Sequence, residues 1–385
     1  MFSRAQKTPL AEWWWTVDRE LLGSLVILLC CGILLSFAAS PPIAEGLGLS
    51  SWHFIVRHII FAALAVCVLV ATSFLTQRQA RVAALVVLSV GVLMLFATLW
   101  VGSSAKGATR WLNAFGLSVQ PSEFVKPGFA VIAAWLMSEK MRREDVPAHL
   151  IVIATVVLIV TPLVLQPDIG QTALVLATWT GLLFLAGVSW WLIFGLLAAA
   201  GTGGVSAYLF FPHVSRRIDS FLNPGTESPY QVKISNQSLL EGGWFGRGPG
   251  EAVARRNLPD AHADYVFSAA AGEFGILFCL VLLGLIAFIT MRALMQAQSQ
   301  PNIFPRLAAS ALALQFGLQS AINLAVNLNL LPPKGMTLPF VSYGGTSMIA
   351  IAFGMGLMLA LTRRKPEERL VTMIPAYRAA YEEGA

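Results

Sequence analysis

Apolar runs close to twenty residues long recur along the whole chain, and a run of that length crosses the hydrocarbon core of a bilayer as one helix. In lipid, every backbone N–H and C=O must be satisfied internally, so a spanning segment of this length is helical. The runs fall at 21–41, 53–74, 82–101, 124–138, 148–166, 171–187, 190–211, 265–290, 307–328 and 340–362. The expected fold is therefore an all-α integral membrane protein with about ten transmembrane helices. A mean hydropathy of +0.70 and only 12% charged residues exclude a soluble core. The first apolar run follows Asp18-Arg19-Glu20 and lacks a small-residue cleavage signal after it, so it is expected to be a retained helix.

Orientation is read from Lys and Arg in the short connections. With a cytoplasmic N-terminus, the cytoplasmic loops and tail hold Arg78, Arg81, Lys140, Arg142, Arg143, Arg292, Arg306, Arg363, Arg364, Lys365 and Arg369. Both termini are then expected to be cytoplasmic. The organisation is a tail at 1–20, a polytopic domain at 21–364 and a tail at 365–385, with one long extracytoplasmic loop, 212–263, between the seventh and eighth spans. The net charge of +6 is a topology signal, so no nucleic-acid partner is expected and membrane lipids are the surroundings. Trp13-Trp14-Trp15 and Trp190-Trp191 read as interfacial anchors.

The outer face nevertheless carries cations of its own, among them Arg110, Lys126 and Lys334, which point to a bound polyanion. The even-numbered spans also begin there with polar residues: Gln120-Pro121-Ser122-Glu123, Gln166-Pro167-Asp168, Pro259 to Asp264, and Pro332-Pro333-Lys334-Gly335 before Pro339 to Gly345, which includes Ser342. Proline is tolerated in a helix's first turn, and the free N–H groups there favour anions. Such starts suit a phosphate or pyrophosphate at the membrane surface. Glu123 and Lys126 are three apart and share a helix face, so they are expected to pair at the membrane edge and line that site. His262 and Asp264 stand where the long loop turns back into an apolar helix, a place where a membrane protein does not keep titratable groups cheaply. Glu273, deeper in the eighth span, is expected to pair inside the bundle or face a cavity. The chain lacks GxxxxGK[ST], HExxH and CxxC patterns, which argues against ATP hydrolysis and zinc protease chemistry.

The segments GATRWLNAFGLSVQPSEFVK, QPDIGQTALV, RRIDSFLNP, NQSLLEGGWFGRGPGE, LPDAHADYVFSAAAGEFG and LLPPKGMTLPFVSYGGTS, in this order, resemble the SEDS family (shape, elongation, division and sporulation). These are membrane glycosyltransferases that polymerise peptidoglycan from lipid II. Lys334 resembles the division branch more than the elongation branch, the alternative reading. Where the family usually shows threonine, phenylalanine and a second acid, this chain has Ala263, Tyr265 and Phe274, and the run Gly246 to Glu251 also departs from the family pattern.

The resemblance implies a polymerase of the bacterial inner membrane at the division septum. Asp264 would be the general base, with inversion at the donor's anomeric carbon. Arg110, Gln120, Glu123, Lys126, Asp168, His262, Lys334 and Ser342 would form the substrate site. The pyrophosphate leaving group leaves room for a divalent cation, Mg or Mn. The implied partners are a class B penicillin-binding protein transpeptidase and regulatory proteins of the divisome. A lipid II flippase is the rival; it would require polar groups through the bilayer midplane, where only Glu273 comes near.

Overall fold

The computed structural model describes residues 8–105, 108–114, 117–143, 145–222, 230–248, 251, 258, 261–333 and 335–363. In chain order its helices are α1 (Pro9–Thr16), α2 (Arg19–Ala39), α3 (Pro41–Gly46), α4 (His53–Ser73), α5 (Gln77–Val101), α6 (Pro121–Lys140), α7 (Ala148–Leu165), α8 (Ile169–Leu185), α9 (Trp190–Phe210), α10 (Pro212–Leu222), α11 (Tyr230–Gly242), α12 (Val266–Gln298), α13 (Ile303–Asn327) and α14 (Gly345–Leu361). A helix stands at each of the ten apolar runs. Seven of them (α2, α4, α5, α7, α9, α12 and α13) are long and apolar enough to cross a membrane. Of the others, α8 and α14 have 17 residues each, and α6 carries Glu123, Lys126, Glu139 and Lys140.

Local chemistry starts several of these helices. Asp18 caps α2 through Leu21 N–H, and Thr76 with Gln79 forms a capping box on α5. The core is a bundle in which α14 packs along α4, α6 and α13, while α6 also packs on α5. Small residues permit the close approaches. A Cβ at Gly356 of α14 would lie 2.6 Å from the Leu69 carbonyl oxygen of α4. α9 stands largely apart from the bundle, with Trp191 86% exposed.

Two features depart from a plain set of spans. Between α5 and α6 the chain forms three short antiparallel strands, β1 (Ser103–Ala105), β2 (Ala108–Ala114) and β3 (Leu117–Val119). Ser104 pairs Thr109 on one side of β2, Leu112 pairs Val119 on the other, and the β1 register shifts at Ser103/Ser104. The second feature is a break in α12 at Gly275, whose φ of 79° and ψ of 177° interrupt the helix. The loop after α11 fills the break with backbone hydrogen bonds. Arg247 and Gly248 N–H donate to the carbonyls of Gly272 and Glu273, while Ile276 and Leu277 N–H donate to those of Gly243 and Trp244, at 2.9 to 3.3 Å. Gly246, at φ 82°, lies so close that an added Cβ would sit 2.0 Å from the Glu273 carbonyl oxygen.

At the end of the bundle that holds α1 and the close of α14, the tryptophan triplet does more than anchor. Trp13 is buried, stacked on Phe74 at 4.8 Å, and its indole N–H donates to Ser73 Oγ at 2.8 Å. Of the three, only Trp14 is exposed. Arg363, just beyond α14, reaches Thr16 Oγ1 and the Phe74 carbonyl, and lies 3.5 Å from Glu12.

Candidate active site

Asp264 occupies a turn, 261–265, that leads directly into α12. Three successive carbonyls of this turn are held by other parts of the chain. Tyr343 N–H donates to His262 O at 2.8 Å, and Ser342 Oγ donates to Ala263 O at 2.5 Å. The side-chain amides of Asn323 and Asn327 donate to Asp264 O at 3.1 and 2.9 Å. The backbone of the turn is thus set by α13 and by the segment that enters α14.

The Asp264 carboxylate faces Gly335. A Cβ built on Gly335 would lie 3.4 Å from Asp264 Oδ2 and 3.4 Å from Arg110 Nη1, so the acid and the guanidinium flank the same glycine. Beside them opens a cavity of about 100 Å³, whose lining includes Arg110, Asp168, Val214, Ile218, Pro333 and Gly335. Its wall is built from β2, the start of α8, α10 and the strand-like run before α14.

Arg110 is delivered by β2 and lies 3.4 Å from Asp168, while its Nη2 donates to the Pro167 carbonyl at 3.4 Å. Asp168 also caps α8 by accepting from Gln171 N–H. Burial raises the Asp168 carboxyl above the usual carboxylate range; the Arg110 charge is the largest influence opposing it.

Glu123 and Lys126 pair as the spacing predicts, at 2.9 Å, but both side chains are only 2% exposed. They are enclosed among helices. Gln171 Nε2 donates to Glu123 Oε1 at 2.6 Å and Ser347 Oγ to Oε2 at 3.1 Å, while Lys126 Nζ donates to Gln319 Oε1 at 2.9 Å. The network then reaches the 335–343 segment, because Gln319 Nε2 donates to Thr337 O and Thr337 Oγ1 shares a hydrogen bond with Ser347. The pair lies behind the cavity wall.

The other expected site residues separate in the same way. Ser342 is buried, and its hydroxyl is taken up by the Ala263 carbonyl and the Leu338 N–H, so it holds the turn and does not face the cavity. Gln120 is buried at the start of α6, its backbone N–H on Thr346 Oγ1. His262 packs its ring against Phe54 and Tyr343 at 4.9 and 5.2 Å. Lys334 lies outside the described residues, although its neighbours Pro333 and Gly335 line the cavity. Among the described residues no three His, Cys, Asp or Glu side chains gather as a metal cage. The sequence reading missed Asn323 and Asn327; two asparagines four apart in an apolar helix were the available signal.

The family model described as Cell cycle protein, FtsW/RodA/SpoVE, matches residues 19–367. The chain is 42% identical to the probable peptidoglycan glycosyltransferase FtsW of Caulobacter vibrioides, covering 95% of this chain and 94% of that one. It is 34% identical to the same-named protein of Allochromatium vinosum over 92% of each. Among solved structures, it matches a chain of a peptidoglycan synthase complex that coordinates polymerization and crosslinking, at TM-score 0.76 and 27% identity over 91% of this chain and 98% of that one. The rod shape determining protein RodA of Thermus thermophilus matches at TM-score 0.68 and 26% identity, over 91% and 97%.

Proposed function

Because the chain belongs to the FtsW/RodA/SpoVE family of cell cycle proteins, we propose that Asp264 is the general base of its reaction. The protein is a multi-pass inner-membrane peptidoglycan glycosyltransferase that polymerises lipid II in cell division. In that transfer a hydroxyl of the acceptor sugar gives its proton to the Asp264 carboxylate as its oxygen attacks the donor's anomeric carbon. The bond from that carbon to the pyrophosphate breaks on the opposite side, undecaprenyl pyrophosphate leaves, and an α-linked donor becomes a β-linkage. Arg110, across Gly335 from the base, offsets the charge growing on the pyrophosphate, together with Lys334, the residue before Gly335 in sequence.

The single observation that supports this assignment is the meeting of Asp264 and Arg110 at Gly335, next to the cavity. Glu123 and Lys126 act one layer back, where they hold the run 335–343 through Gln319, Ser347 and Thr337. The chain works at the septum with a class B penicillin-binding protein transpeptidase and divisome regulators, and its Asp264 end faces out of the cytoplasm.

The test compares lipid II polymerisation by purified wild type, Asp264→Asn and His262→Gln. Removal of a general base lowers the rate about a hundred- to ten-thousand-fold; that loss is expected for Asp264→Asn, with His262→Gln largely active. The reverse result moves the base to His262. Orientation is tested with single cysteines in a background lacking the native ones: an impermeant thiol reagent should label position 225 and spare Gln298. Labelling only at Gln298 would invert the topology and remove an external active site.

A further inference from the structure

The start of α12 has a weakness that its own sequence does not repair. Its N-cap position is Tyr265, which makes no side-chain capping hydrogen bond. A helix start leaves its first N–H groups without partners, and an Ser, Thr, Asp or Asn at the cap normally accepts one of them. Here the acceptor comes from a different helix. Asn327 Oδ1 accepts from Ser268 N–H at 3.0 Å, two positions beyond the first residue of α12, and from Ser268 Oγ at 2.9 Å. The same side chain donates from Nδ2 to Asp264 O at 2.9 Å. Asn327 therefore joins the carbonyl of the base to the amide of the first helical turn. Asn323, one turn earlier on α13, donates to Asp264 O and to Met336 O, which connects the turn to the residue beside Gly335. Both asparagines are 1% exposed or less.

From this geometry we infer that Asn323 and Asn327 are positioning residues for glycosyl transfer: they aim the Asp264 carboxylate by fixing its backbone against both α12 and the Gly335 run. The inference rests on Asp264 being the base. Neither asparagine needs to touch substrate. A buried amide is suited to the role because it donates and accepts at once, while it adds no charge beside the carboxylate. Aspartate at 327 would keep the acceptor for Ser268 but lose the donor to Asp264 O. Alanine would lose both.

The experiment measures kcat and KM for labelled lipid II with the purified full-length protein and the variants Asn327→Asp, Asn327→Ala, Asn323→Ala and Asp264→Asn. Each rate is normalised to the folded fraction found by size-exclusion chromatography and thermal unfolding. Misplacing a reacting group by about 1 Å costs on the order of a hundredfold. The Asn327 variants and Asn323→Ala should each lose roughly ten- to a hundredfold in kcat, with KM nearly unchanged, because each removes one of the two amides that hold Asp264 O. Asn327→Asp, which keeps the cap, separates positioning from helix stability. Unchanged kcat per folded molecule in Asn327→Asp, or a loss that appears only as reduced folded protein, overturns the inference while an inactive Asp264→Asn leaves the base in place. A near-normal rate in Asp264→Asn removes the base assignment itself.

Discussion

The two ends of the bundle both use charge to tie helices together, and they differ in how many of the partners are enclosed. At the end holding α1 and the close of α14, Arg292 reaches Asp18 at 3.0 Å and Glu20 at 2.8 Å, with the Glu20 side chain 66% exposed. Arg363 and Glu12 likewise meet in a partly open site. At the Asp264 end, Glu123 with Lys126 and Arg110 with Asp168 are largely enclosed, and neutral side chains take up the hydrogen bonds that remain on the first pair. Exposed ion pairs contribute about 0–1 kcal/mol. An enclosed pair must overcome desolvation, and losing one partner strands the other. The α1 end thus mixes enclosed and exposed partners, whereas the Asp264 end includes a pair enclosed on both sides, whose charges are held against desolvation.

The largest effect expected to sharpen this contrast is at Asp264. Asp264→Asn should abolish most polymerisation, while Asp18→Asn at the other end should leave the rate per folded molecule within about twofold, since it removes a tie between helices and no group beside the cavity; equal losses in a purified lipid II assay would erase the distinction. Next comes Lys126→Ala, which leaves Glu123 buried without its cation. The expected cost is about 3–5 kcal/mol, read as a sharp fall in thermal stability. Pairing Lys126→Met with Glu123→Gln should recover much of that stability and still polymerise poorly. If the double variant is both stable and fully active, the buried pair serves only the fold.

A third test bears on the broken helix. Gly246→Ala places a Cβ against the Glu273 carbonyl at a left-handed φ, so the clasp between the loop and α12 should loosen. Faster amide exchange at residues 272–277 than in wild type is the expected signature, and unchanged exchange would show that the loop tolerates the added carbon. The smallest effect belongs to Arg363→Ala. It should lower stability by about 1 kcal/mol or less, measured by thermal unfolding in detergent.

The helices were legible because apolar runs near twenty residues admit one solution in lipid. The pairing of Glu123 with Lys126 was legible because a three-residue step returns to the same helix face. Its depth was not, since the network around it comes from α8, α13 and α14. The small sheet leaves only a faint trace in the sequence, the dipeptides Lys106-Gly107 and Phe115-Gly116 that lie between its strands, because short strands within a polar connection give a weak periodic signal. Of the tryptophans, Trp190 and Trp191 are exposed, whereas Trp13 is buried with a partner in Ser73 sixty residues away, a contact that neighbouring residues do not announce.

By itself the sequence determined the class of fold, the helical segments and the identity of the acid at 264, because hydropathy, helical spacing and local motif are properties of neighbouring residues. Only the tertiary structure decided which carbonyls hold that acid in place, which cation shares Gly335 with it, and which of the expected site residues stand back from the cavity. Those relations join residues far apart in the chain, such as Asp264 with Asn327 and Arg110 with Gly335, and they arise only when the bundle closes.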